Sequence, residues 1–246
     1  MAALPNPRMS KTAMITDYYN FLDEWNAVLN LTTPAHHKKI MAFLVDVLTT
    51  PPRRGLLNAF RHSGKSTVVG VFAACLLYLR PQTRILILSA ESALASRMVA
   101  HVRHILENHP RCAGMIPAVK KEWGTHKITI NRPIGIREPS VICQGVHGNI
   151  TGLRADLIIC DDVEVPNTSN TAAKRAALRE RLRELDFILS PSGAMIYIGT
   201  PHAIDTIYRT TDEDAPDPTL GIGGGDNGTV GGGFLDTADK GAQFAQ

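Results

Sequence analysis

Cysteine is scarce in this chain, and what there is does not pair. Cys75, Cys112, Cys143 and Cys160 are the only four in 246 residues, and none stands at the short spacing of a zinc site or a redox motif. Two fall inside apolar segments expected to be core, which argues for reduced, structural thiols and against a disulfide framework. Histidine is no better organised. His36-His37, His62, His147 and His202 lack metal-ligand spacing, so no zinc site is expected. Long apolar runs are also missing. Thr67 to Leu79 is stopped by Arg80-Pro81, well short of the roughly 20 residues of a membrane span. The amino terminus lacks the charged, apolar, then small-residue order of a signal peptide. These absences argue against a membrane span or a secreted protein and are consistent with cytosol. There is no Asn-Lys-x-Asp segment for guanine either, which disfavours a GTPase.

Charge of one sign is absent overall but present regionally. The chain holds 26 basic and 23 acidic residues. Residues 211–246 carry seven of the acids and one of the bases, leaving 1–210 with a basic surplus of nine. Such a core suits a polyanionic partner such as DNA. The densest run is Lys174-Arg175 with Arg179, Arg181 and Arg183, interleaved with Glu180, Glu184 and Asp186. Leu178, Leu182 and Leu185 give it the spacing of an amphipathic helix. Acid–base pairing on the outer face accounts for its charges, with DNA contact as the alternative.

The most informative segment is Ala59-Phe60-Arg61-His62-Ser63-Gly64-Lys65-Ser66-Thr67. An apolar run precedes it and a helical one, Thr67 to Leu79, follows, the layout of a nucleotide phosphate-binding loop. Backbone N–H groups over Ala59 to Thr67 would face phosphate, aided by the helix N-terminus. Lys65 would reach the β- and γ-phosphates of ATP, and the Ser66 hydroxyl would ligate Mg²⁺. The pattern departs from the usual one, because Ala59 stands where the first glycine is expected and Arg61 lies within the loop.

A second element is Leu157-Ile158-Ile159-Cys160-Asp161-Asp162-Val163-Glu164. Its apolar half predicts a strand buried on both faces. Its acids follow at the carboxyl end, where open α/β sheets bind ligands. Asp161 would hold Mg²⁺, and Asp162 would orient and deprotonate an attacking water, with Glu164 the competing candidate. A third segment, Met195-Ile196-Tyr197-Ile198-Gly199-Thr200-Pro201, brings Thr200 to the same edge, able to sense the γ-phosphate or the water.

Around these motifs the chain alternates. Helices are predicted over Ile15 to Leu29 and Pro34 to Leu48, the second broken by Pro51-Pro52. Tyr18, Tyr19 and Phe21 are placed to pack the first helix on the sheet, with base stacking as the alternative. A buried strand, Arg84 to Ala90, precedes a long helix, Glu91 to Glu107, and Lys127–Asn131 with Val141–Gln144 suggest an antiparallel excursion. The order argues for an α/β fold, a mainly parallel sheet with helices on both faces. Three regions are expected: a helical segment (1–50) packed on the core, an ATPase core (51–210), and an acidic, glycine-rich tail (211–246) too poor in apolar residues to fold.

Ala-Phe-Arg-x-x-Gly-Lys-Ser, Thr151-Gly152-Leu153-Arg154-Ala155-Asp156 running into the Asp-Asp-Val-Glu strand, and Tyr-Ile-Gly-Thr-Pro together resemble the large terminase subunit of tailed bacteriophages, the short-tailed branch above all. The similarity runs over about residues 50–210. It implies an additional-strand P-loop NTPase that hydrolyses ATP with Mg²⁺ in the host cytoplasm and packages double-stranded DNA. Its implied partners are the portal ring of the procapsid, a small terminase subunit and further copies of itself in a ring. It implies that Arg61 acts in cis on the phosphates, that Gly199-Thr200-Pro201 couples nucleotide state to DNA movement, and that an arginine acts in trans, with Arg97, Arg103 and Arg154 as candidates.

The family joins this domain to a nuclease whose carboxylates hold two metals. Nothing after Tyr208-Arg209 supplies such a sheet, so nuclease activity is not expected of this chain; the nuclease lies on another polypeptide or the product is shortened. The alternatives to a packaging motor are a nucleotide-dependent interaction module, a terminase remnant without productive translocation, and a helicase-like ATPase.

Overall fold

The computed structural model describes residues 10–59, 62–133, 135–199, 207 and 219–222. Two helices open the chain, α1 (Lys11–Val28) and α2 (Ala35–Thr49). Ser10 caps α1 by accepting the Ala13 N–H, satisfying one of the donors that a helix start leaves without an internal acceptor. Met14, Tyr18, Phe21, Leu22 and Trp25 recur at helical spacing and are buried along α1. Tyr18 stacks on Phe72 at 5.2 Å and Phe21 on His109 at 3.6 Å, which makes this aromatic cluster core.

The chain then alternates: β1 (Arg54–Ala59), α3 (Lys65–Leu79), β2 (Ile85–Ser89), α4 (Ser92–Asn108), β3 (Lys127–Ile128), β4 (Val141–Gly145) and β5 (Ala155–Asp161). It continues with α5 (Pro166–Ser169), α6 (Ala172–Arg183), β6 (Leu189–Gly199) and β7 (Thr219–Ile222). Among the described residues the strands form one seven-stranded sheet in the order β3-β4-β2-β5-β6-β1-β7. All pairings are parallel except β3 with β4. β6 is interposed between β1 and β5, so the two motif strands are separated by one additional strand. This is the expected α/β, additional-strand P-loop arrangement.

Helices cover both faces. Against one lie α1, α2, α3 and α4, with a continuous core from Met14 to Ile198. Against the other, Leu178 and Leu182 of α6 and Leu185 pack on Leu86, Ile158 and Met195. α3 is apolar all round, and Val68 to Leu77 are buried throughout, as befits a helix walled in by α1, α2 and α4. Gly70 allows the closest approach: a Cβ there would lie 2.1 Å from His101 Cδ2 of α4.

Three details differ from the sequence expectation. β4 does pair antiparallel with β3, yet its other side pairs parallel with β2, so it extends the central sheet and is no separate excursion. β6 begins at Leu189 and not Met195, because Leu189 pairs with Ala155 across a register irregularity that its Ser-Pro-Ser-Gly composition does not announce. Thr219–Ile222, within the segment expected not to fold, pairs in parallel with Leu56–Ala59 as β7. Backbone hydrogen bonding to an open strand edge requires little apolar side chain, which is what a composition argument counts.

At the amino ends of the strands sits a polar clamp. Arg84 donates through Nε and Nη2 to both Asp156 oxygens at 2.9 and 2.8 Å, and its backbone N–H adds a third bond at 2.9 Å. Ser190 Oγ donates to the same carboxylate at 2.7 Å, tying β5 to β6.

Candidate active site

The opposite, carboxyl edge is where the motifs meet. β1 ends at Ala59, and the chain turns through His62 (φ 67°), Ser63 and Gly64 (φ 74°) into α3. Left-handed backbone is costly for histidine and free for glycine, so the turn is held by its surroundings. Lys65 is the first residue of α3 and is buried; Ser66 and Thr67 follow in its first turn. The helix thus starts two residues earlier than its apolar run suggested, which aims its N-terminal N–H groups into the loop.

β5 delivers Asp161 beside that turn. Ser66 Oγ lies 3.5 Å from Asp161 Oδ1. The next residue, Asp162, adopts φ 45° while its N–H donates to the Ile198 carbonyl at 2.9 Å, so β6 fixes the bend after β5. Asp162 Oδ1 is buried and has no hydrogen-bond partner. Burial first, and then the neighbouring Asp162 charge, push the Asp161 carboxyl up to about 7; Lys65 and the Ser66 hydroxyl offset only part of this. Two adjacent carboxylates, one strained upward and one with an orphaned oxygen, make a site short of positive charge.

A cavity of about 260 Å³ opens between these groups and α4, lined by Ser66, Thr67, Asp161, Asp162, Arg97 and His101 among others. That is below the roughly 300–1,000 Å³ of a pocket for a whole small molecule, and suits phosphate, water or a cation. Hydroxyl and carboxylate oxygens are the hard donors Mg²⁺ takes, and the orphaned Asp162 oxygen is the kind of group a hydrated cation satisfies. The residues present therefore fit Mg²⁺, although among the described residues no cluster of three or more His, Cys, Asp or Glu stands ready to hold a metal by itself.

Sequence comparison finds a relative. The chain is 31% identical over 205 residues, 80% of its length, to the large terminase subunit of Enterobacteria phage T3. Over most of its own length the chain is thus similar to a large terminase subunit. It spans about a third (34%) of the length of that curated relative. Two solved structures of the large terminase ATPase domain of Thermus phage P74-26, one of them a mutant, are also similar. Each has 18% identity and a TM-score of 0.44 over 76% of this chain and 72% of theirs. No protein-family model matches the chain.

In this chain the structure gathers Gly64, Lys65, Ser66, Thr67, Asp161 and Asp162 at one edge. Glu164 is not among the cavity's lining residues: it is 1% exposed, and its Oε2 accepts the Ile207 N–H at 2.9 Å. Arg61 and Thr200 lie outside the described residues. Of the three arginines weighed as trans-acting, Arg97 lines this chain's own cavity, Arg103 donates to the Gly124 carbonyl at 3.4 Å, and Arg154 sits at the far, amino end of β5. Sequence reasoning missed His101, whose Nε2 lies 3.3 Å from the Thr67 carbonyl, and the pair His36-His37. A hydrogen bond from a histidine to a distant carbonyl leaves no trace in residue spacing. The four cysteines are free and buried, and no described helix is long and apolar enough to cross a membrane.

Proposed function

We propose that residues 51–210 are the ATP-hydrolysing motor domain of a machine that packages viral double-stranded DNA into a capsid. The observation that carries this reading is the meeting of Ser66 and Asp161 at 3.5 Å beside buried Lys65, with Asp162 next to them on the same cavity. Lys65 binds the β- and γ-phosphates, and the loop from Ala59 through His62, Ser63, Gly64, Ser66 and Thr67 cradles them with backbone N–H groups. Ser66 and Asp161 hold Mg²⁺, which when bound neutralises charge on the phosphate oxygens. Asp162, with an oxygen lacking a partner, orients the attacking water and takes its proton. Arg61 acts on the phosphates in cis and Thr200 couples their state to DNA. The domain works in the host cytoplasm as a homo-oligomeric ring on the portal, with a small terminase subunit as partner.

The test is steady-state ATP turnover with and without linear double-stranded DNA. Lys65→Ala is expected to abolish turnover and weaken ATP binding; Asp162→Asn is expected to bind Mg·ATP and not hydrolyse it. Glu164→Gln, whose carboxylate faces a backbone N–H, keeps hydrolysing. Turnover unchanged in Lys65→Ala refutes the phosphate-loop assignment, and loss confined to Glu164→Gln moves the base to Glu164. DNA-independent turnover or mere binding points to an interaction module and not a motor.

A further inference from the structure

We propose that His36 and His37, in the first turn of α2, are positioning residues for the phosphate loop: together they grip the Ser63 carbonyl and so aim the Gly64 N–H at bound phosphate. The inference rests on the ATP-binding reading above. His36 Nε2 lies 3.0 Å and His37 Nε2 3.2 Å from the Ser63 oxygen. A carbonyl has two lone pairs, so both rings donate to it at once as Nε2–H tautomers. In a planar trans peptide the C=O and the following N–H point in opposite directions. Pinning the Ser63 oxygen toward α2 therefore turns the Gly64 N–H away from α2, toward the inside of the loop, and keeps that peptide from flipping.

Three further observations fit the arrangement. The rings meet edge to face, 4.6 Å apart at 79°, so each closes off one side of the other. His37 Nδ1 is buried without a partner, as a bare lone pair tolerates better than an N–H would, and burial holds this imidazole toward its neutral form. Gly64 is at φ 74°, and a Cβ there would lie 2.4 Å from His37 Nε2, so ring and loop occupy complementary space. Both histidines belong to the helical segment ahead of the ATPase core, which gives that segment a direct hold on the site.

The test separates donor from bulk in the full chain. His37→Phe keeps a ring and removes the donor; His37→Gln removes the ring and keeps an N–H near the Nε2 position; a His36→Ala/His37→Ala double variant removes both. Each is titrated with fluorescent Mg·ADP and melted without nucleotide. Losing one to two such hydrogen bonds is expected to weaken ADP binding about tenfold in His37→Phe and in the double variant, with His37→Gln within about threefold of the parent. ADP affinity within twofold of the parent in folded His37→Phe, or a melting shift without an affinity change, would overturn the proposal. The underlying reading is checked separately: if the parent binds no ADP, or Lys65→Ala binds it equally well, nucleotide binding itself is refuted.

Discussion

Asp156 and Asp161 lie on the same strand, β5, and their surroundings push them in opposite directions. Asp156 is taken out of water, yet hydrogen bonds from the Arg84 guanidinium, Ser190 and a backbone N–H more than compensate and hold its carboxyl below the usual range. Asp161 is taken out of water beside a second carboxylate, and Lys65 with the Ser66 hydroxyl falls short of offsetting that. The Asp156 carboxylate at the amino edge is satisfied by its own protein partners. The carboxyl edge carries a deficit that a cation and phosphates would relieve. Stability and chemistry are thus separated along one strand, and perturbed groups collect where a ligand is expected.

Exchanging the charge at each end should break this comparison in opposite ways. Asp161→Asn gives the largest effect: ATP turnover falls by about 100-fold or more, the loss of several kcal/mol of charge stabilisation at the reaction centre. Its unfolding midpoint nevertheless stays at or above the parent's, since a repelled buried carboxylate has been removed. A lower midpoint in urea would mean that Asp161 is structural.

Asp156→Asn should do the converse. Removing one partner of a well-buried pair costs about 3–5 kcal/mol. The side chains of Arg84 and Asp156 keep 21% and 14% of their exposure, so a loss of about 2 kcal/mol is expected in urea unfolding, with turnover retained at low temperature. Undiminished stability would show the clamp to be dispensable.

The smallest effect is on pH dependence, and its sign differs between the two ends. Asp161, raised to about 7 in the fold, favours the folded state while protonated. Its contribution is fully present below the unfolded value of about 3.9 and is lost as pH rises through about 7. Asp156, depressed in the fold, contributes above the unfolded value and loses that contribution as pH falls through its folded one. Nucleotide-free protein should therefore be less stable at pH 8 than at pH 5.5, a slope absent from Asp161→Asn, while Asp156→Asn flattens the acid limb. Calorimetric scans across pH check this, and an unchanged slope in Asp161→Asn would remove Asp161 as its source.

Much of this architecture was legible from local pattern. Ile85–Ser89 and Leu157–Cys160 are buried apolar runs of strand length, Gly64-Lys65-Ser66 punctuates a strand and a helix, and acids end β5. Each is a property of a few consecutive residues, and each placed its element within a turn or so. Expectations dependent on distant partners fared worse. β4 acquires its parallel neighbour β2 from a segment more than fifty residues earlier, and β7 finds the open edge of β1 across an even longer stretch. Hydrogen-bond pairing between strands uses backbone groups that every residue carries, so composition does not encode who pairs with whom.

The same division holds at the site. By itself the sequence determined which groups stand at the carboxyl edge of the sheet: a lysine and hydroxyls after a glycine, and two carboxylates after a buried strand. Only the tertiary structure decided how they are arranged. It set Ser66 against Asp161, bent Asp162 into left-handed backbone with its N–H on β6, turned Glu164 to a backbone N–H, and laid two histidines of α2 on the loop. The physical reason is that residue type fixes charge and hydrogen-bonding capacity, whereas burial, repulsion and peptide orientation arise from neighbours that the chain meets only on folding.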